Sequence, residues 1–234
     1  MRARIAAPPR PSYLRDFIYG AIDGTVTTFA IVAGAAGADL GDSVVLIMGT
    51  ANLFADGFSM AISNYLGIRA ERDERAQARL TEETHVREVP EGEREEIRQI
   101  YRAKGFEGED LERAVKVITS DEKRWIDTMM SEELGYGSDI ESAPRAAVAT
   151  FSAFVIVGCL PLLPFLLNLL SPGLFDQPFL VSGILTGLGF AGVGIAKAGI
   201  VGQARWKGGA QTLALGGSAA AVAYLIGVAL QGVG

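Results

Sequence analysis

The 234-residue chain holds one cysteine, Cys159, and one histidine, His85. A lone cysteine excludes a disulfide framework within the chain. Cys159 lies in an apolar run and reads as a small packing residue. A lone histidine excludes a site that draws two imidazoles from one chain. The first residues, MRARIAAPPRPSYLRD, have neither the apolar core nor the cleavage site of a signal peptide. The first apolar helix is therefore expected to serve as the insertion signal. A basic excess is also missing: the formal net charge is −6, which argues against the electropositive footprint of a nucleic-acid binder. There is no long repeat and no low-complexity tract.

The charges that are present are segregated. Between Arg69 and Glu141 lie 13 of the 21 Lys+Arg and 21 of the 27 Asp+Glu. That block carries a net −8 and the remainder +2. One acidic, water-soluble block is thus inserted between apolar segments, and its charge suits a metal cation or simply solubility.

Five segments approach the ~20 apolar residues that a spanning helix needs: about 14–38, 43–68, 145–170, 178–202 and 209–232. The turn Asp39-Leu40-Gly41-Asp42 joins the first two. Arg205-Trp206-Lys207-Gly208-Gly209 separates the last two. Basic residues near span ends mark the cytosolic side. Arg2, Arg4, Arg10 and Arg15, the soluble block with Arg145, and Arg205 with Lys207 all fall on one side when five helices are threaded alternately. The opposite loops, 39–42 and 171–177, carry no Lys or Arg. The N-terminus and soluble block are expected in the cytosol and the C-terminus outside. Ala/Arg/Gly-rich usage suggests a bacterial plasma membrane.

No proline interrupts the chain from Ser43 to Glu88, so the second helix is predicted to continue beyond the membrane as a rod. Pro90 then opens a helix over about 90–104 in the position where proline is tolerated, and Gly105 closes it. Helices over about 109–119 and 121–134 follow, with Ser120 as the predicted N-cap of the latter and Gly135 at its end. Pro161 and Pro164 should kink the third span. Glycines in the last two spans allow close helix approach. The fold class is all-α membrane protein, with residues 1–68 and 144–234 forming the membrane helices and 69–143 a cytosolic helical domain.

Asp23 sits midway along an apolar stretch, where a carboxylate costs at least ~2.5 kcal/mol and is functional by default. It shares a helix face with Asp16 and Thr27. On the second span Asn52, Asp56, Met60 and Asn64 recur every four residues, a second polar stripe. The two stripes either line a path or hydrogen-bond across a helix interface. A thioether beside carboxylates is an odd choice for oxygen-seeking cations and suits a first-row transition metal better; methionine is also common packing. The soluble block repeats this chemistry with Glu82 and His85, Glu93 and Glu96, and Met129 and Glu133, each pair on one helix face. A solvated charged face is the plainer explanation of the same residues.

At these residues the chain resembles the vacuolar iron transporter family. The resemblance lies in YGAIDGTVTTFAIVAG around Asp23, ANLFADGFSMAISNYLG around Met60 and WIDTMMSEELG from Trp125, and it covers almost the whole chain. It implies a homodimer in the lipid bilayer, with a pore at or near the subunit interface lined by the first two helices. It implies exchange of cytosolic Fe²⁺, and often Mn²⁺, for protons. Asp23 matches the family's mid-pore aspartate, Met60 its pore methionine and Asp16 an aspartate near the cytosolic mouth; Asn52 and Asp56 share the Met60 stripe. Glu82, Glu93, Glu96, Met129 and Glu133 match its metal-binding domain, and His85 stands where a further glutamate is expected. Imidazole suits Fe and Zn, and would make binding pH-dependent because it must be neutral to ligate.

The leading expectation is a proton-coupled Fe²⁺/Mn²⁺ antiporter exporting metal from the cytosol, with Zn²⁺ and Co²⁺ open and no organic cofactor. A membrane-anchored di-iron carboxylate oxidase is the enzyme alternative, since Glu82-Glu83-Thr84-His85 contains the Glu-x-x-His half-motif; two copies are needed per site. A metal sensor without transport is the third, and it leaves Asp23 and Met60 without a role.

Overall fold

The computed structural model describes residues 13–137 and 141–231, all of whose regular structure is helical. The helices are α1 (Leu14–Gly37), α2 (Asp42–Glu88), α3 (Pro90–Ala103), α4 (Gly108–Thr119), α5 (Glu122–Glu132), α6 (Ala143–Gly158), α7 (Leu163–Leu170), α8 (Pro178–Val201) and α9 (Arg205–Ala229). Five are long and apolar enough to cross a membrane when α6, the short Leu160–Leu162 turn and α7 are taken together. The described residues form two compact units, one within Gly67–Glu141 and one made of 13–66 with 142–231. The first part of α2 belongs to the second unit and its last part to the first.

In the apolar unit, α1 packs against α6, α8 and α9, and α8 packs against α9. Two glycine pairs explain how close these helices come. A Cβ on Gly20 or Gly24 would collide with the backbone of Thr150 or Phe154 on α6, and a Cβ on Gly227 of α9 with the carbonyl of Gly34. Backbones in direct contact are the usual way for helices to associate where lipid supplies no hydrophobic drive. The first part of α2 is covered more thinly. Its buried positions are Val45, Gly49, Leu53, Gly57 and Ala61, a stripe one residue wide. Ile47, Phe54, Phe58, Ile62 and Leu66 on its other faces are exposed.

The prolines break the third span rather than bend it. Pro161 and Pro164 both lack the N–H that an α-helix would use. The chain passes through a tighter turn, with Leu162 N–H on the Cys159 carbonyl, and the Pro161 carbonyl accepts from Ser182 Oγ at 2.6 Å. The last span starts at Arg205, earlier than the glycines at 208 and 209 suggested. Those glycines sit inside the helix because they face α8, Gly208 against Gly194 and Ala198. It is Gly202, at φ 73°, that ends α8.

The acidic unit has its own core. Leu111, Val115 and Ile118 of α4 and Trp125, Ile126, Met129 and Met130 of α5 close over Ile97 of α3 and Val86 at the end of α2. The N-cap of α5 is Asp121, whose carboxylate accepts the Arg124 N–H at 2.8 Å. Ser120 instead closes α4, its hydroxyl donating to the Val117 carbonyl. Aspartate and serine cap comparably well, and the residue nearer the first turn of α5 takes the position.

Candidate functional site

In the acidic unit, Glu82, His85, Glu93 and Glu96 lie where α2 ends and α3 begins, and Met129 and Glu133 come from the end of α5. Val89 alone separates the two helices, and Pro90 fixes the first turn of α3. Val86 and Ile97 turn into the core, and the residues four before them, Glu82 and Glu93, are drawn inward on the same faces. Their exposures are 6% and 5%. One ligand atom each from Glu82, His85 and Glu93 can be chosen so that all lie within 4.8 Å of one another. His85 Nδ1 is 3.4 Å from Glu93 Oε1, and the imidazole is half-exposed. The Oε2 atoms of both glutamates are buried without a hydrogen-bond partner among the described residues. Buried acceptors left in this state are costly, and a cation satisfies them.

The electrostatics agree. Glu93 stands in the first turn of α3, where the helix dipole favours a carboxylate. Burial nonetheless pushes its carboxyl up to about 7, helped by the charges of Glu96, Glu82 and Glu133 and opposed by His85. Glu133 is raised as well, by burial first and then by Glu96 and Glu82. Four carboxylates and one imidazole therefore share one field. Glu96 and Glu133 stand at its exposed side. Met129 is fully buried among the core residues, one turn before Glu133.

In the apolar unit, α1 and α2 present their polar stripes to each other in antiparallel register. Asn64 Nδ2 donates to Asp16 Oδ1 at 2.8 Å and to Thr150 Oγ1 of α6 at 2.9 Å. Seven residues further along α1 and eight back along α2, this register brings Asp23 and Asp56 to about the same level. Asp23 is exposed on the chain's surface, Asp56 and Asn52 are half-buried, and the Asn52 Nδ2 is buried without a partner among the described residues. Met60 is half-buried against the apolar cluster that includes Leu53 and Phe154.

Asp16 stands apart from the others. It is 2% exposed, tied to Asn64, and its Oδ2 has no hydrogen-bond partner among the described residues. Thr150 was not singled out in the sequence; its signal was a hydroxyl among the mostly apolar residues that follow Arg145. Thr27, by contrast, donates to the Asp23 carbonyl of its own helix at 2.9 Å.

The chain as a whole is similar to known proteins. The model of the VIT family matches residues 14–228. The chain is 36% identical to a vacuolar iron transporter of Toxoplasma gondii over 225 residues, 94% of this chain and 74% of the relative. It is 31% identical to vacuolar iron transporter 1 of Arabidopsis thaliana over 219 residues, 93% and 86% of the two chains. Against vacuolar iron transporter 1 of Oryza sativa the identity is 30% over 219 residues, 93% and 85%. These relatives are eukaryotic and named for the vacuole, which does not fit the expected bacterial plasma membrane. A family match over residues 14–228, nearly all of the described residues, makes the chain a member of the VIT family.

Proposed function

We propose that this protein is a transporter, not an enzyme, that moves Fe²⁺ out of the cytosol across a membrane in exchange for protons. Mn²⁺ is a second substrate. The observation that carries this reading is the antiparallel register of α1 and α2, tied by Asn64 to Asp16, which brings Asp23 and Asp56 to about the same level, in a member of a family whose relatives are named iron transporters. Two carboxylates that repel each other at that depth are stabilised by a divalent cation. Asn52 and Met60 belong to the same stripe and extend the path along α2. When the cation leaves, a proton on Asp23 relieves the same repulsion, which couples the two flows.

The acidic unit collects metal on the cytosolic side through Glu82, His85, Glu93, Glu96 and Glu133, with Met129 beneath them. Oxygen and nitrogen donors with a nearby thioether suit Fe²⁺ better than Mg²⁺ or Ca²⁺. The active form is a homodimer. Its support is the thin cover of α2, whose Phe54, Phe58 and Ile62 are exposed on the single chain alongside Asp23.

The test is flux in proteoliposomes carrying a pH reporter. With Fe²⁺ outside and protein oriented with its acidic unit outside, metal enters and protons leave. Asp23→Ala abolishes both while the protein remains folded by circular dichroism. Full transport by Asp23→Ala removes Asp23 from the path, and metal uptake without a pH change removes the antiport.

A further inference from the structure

We infer that Asn64 is a positioning residue: through Asp16 and Thr150 it locks α2 in the register that sets Asp56 opposite Asp23. The functional weight of this inference rests on the proposed path, but the register itself is read independently of transport.

Asn64 spends both of its amide hydrogens, one on Asp16 Oδ1 and one on Thr150 Oγ1. The three residues come from α2, α1 and α6, so one side chain ties three helices. Both acceptors are buried, Asp16 at 2% and Thr150 at 1% exposure. Further along α2, apolar packing supports the same register. Its apolar cover is the stripe Val45, Gly49, Leu53, Gly57 and Ala61, whose members repeat every four residues and include two glycines and an alanine. Large and small members alternate along it: Leu53 lies against Gly158, Gly49 faces Leu162 and Gly57 faces Phe154, so a slip of one turn, about 5.4 Å, would also drive Leu53 into those side chains. Such a slip would bring Asn52 or Met60, instead of Asp56, to the level of Asp23. A hydrogen-bonded amide resists the slip, because in a bilayer the separated partners find no water to replace each other.

The same geometry gives Asp16 a different part from the one its spacing to Asp23 implies. Its Oδ1 is engaged by an amide hydrogen, and it points into the seam with α2 and α6 rather than to the open face where Asp23 lies. Asp16 is the anchor on which Asn64 closes.

The test pairs a structural readout with a transport readout in the full-length protein. Thiols are placed by Asp23→Cys and Asp56→Cys in a Cys159→Ser background, and a short dithiol-reactive cross-linker measures their proximity in proteoliposomes. Adding Asn64→Leu is expected to lower the cross-linked fraction about three- to tenfold, the range set by interhelical hydrogen bonds in membranes. The exchange Asp16→Asn with Asn64→Asp rebuilds the bond with donor and acceptor reversed, and Thr150 can donate to the new carboxylate. It is expected to restore the cross-link and, with Asp23 and Asp56 intact, the maximal rate of Fe²⁺ uptake.

Cross-linking unchanged by Asn64→Leu overturns the inference. So does an exchange variant that restores the cross-link yet transports no better than Asp16→Asn alone, because the charge of Asp16 would then be used on the path itself. If Asn64→Leu does not fold, Thr150→Val removes one acceptor at nearly constant volume and is read by the same cross-link. A wild type that moves no iron sinks the proposed function and leaves the cross-linking arm intact.

Discussion

His85 Nδ1 and Glu93 Oε1 lie 3.4 Å apart across the break between α2 and α3, a contact made possible by the single residue, Val89, that joins the two helices. Its pH consequence follows from Glu93, whose carboxyl is pushed up to about 7, above its ordinary value of 4.5. The folded protein therefore holds this proton more tightly than the unfolded chain does. Stability from this group is gained as pH falls through 7, is complete below 4.5, and is lost as pH rises again. In metal-free protein, the acidic unit should thus melt higher at pH 5.5 than at pH 8, and Glu93→Gln should flatten that difference. Trp125 fluorescence in a Trp206→Phe background reports the melt. An unchanged pH slope in the Glu93→Gln variant would contradict the buried-carboxylate account.

Metal binding should reverse that dependence. A cation between Glu82, His85 and Glu93 needs the ionised carboxylate and the neutral imidazole. At pH 6 binding should therefore release protons, and at pH 8 few. Calorimetry of full-length protein with Mn²⁺, in buffers of different ionisation enthalpy, counts them. Glu82→Gln or Glu93→Gln should weaken binding at least tenfold, or about 1.4 kcal/mol. Binding that survives both changes would place the ion elsewhere.

How much of this was legible in the sequence depends on the range of the forces involved. The five spans and the long α2 follow from apolar run length and the absence of proline, both local signals. Pro90, Gly105 and Gly135 marked helix ends correctly because their backbone preferences act within a turn. Glu82, His85 and Glu93 were recognisable as pairs, but the break at Val89 is what folds one pair onto the other. The burial of Asp16 was not legible: it shares a face with Asp23, and only the arrival of Asn64 and Thr150 from two other helices separates their surroundings. Gly208 and Gly209 misled for the same reason, since their partners lie on α8.

Met129 tests packing against ligation. It is fully buried among Val86, Ile97 and Trp125 and also precedes Glu133 by one turn. Met129→Ala should cost about 2–5 kcal/mol of stability from the cavity it leaves. Met129→Leu nearly conserves volume and should cost less than about 1.5 kcal/mol. If the thioether also binds metal, the leucine variant keeps its melt and loses affinity for Fe²⁺, and calorimetry separates the two. Equal metal affinity in wild type and the leucine variant would leave Met129 with packing alone.

The contact between α1 and α9 gives a prediction free of any metal. Gly227 faces the carbonyl of Gly34, and Gly37 faces that of Tyr224, so neither position has room for a Cβ. Both lie within helices at ordinary negative φ, so the constraint is space rather than backbone conformation. Gly227→Ala should therefore force the two helices apart, lowering the thermal midpoint in detergent. Gly217 on the same helix has open space around it, and Gly217→Ala should be neutral or slightly stabilising, because alanine is the better helix former by about 1 kcal/mol in an exposed helix interior. Comparing the two substitutions holds helix propensity constant and isolates the contact. Equal midpoints for both would mean that close approach of α1 and α9 contributes nothing to holding this unit together.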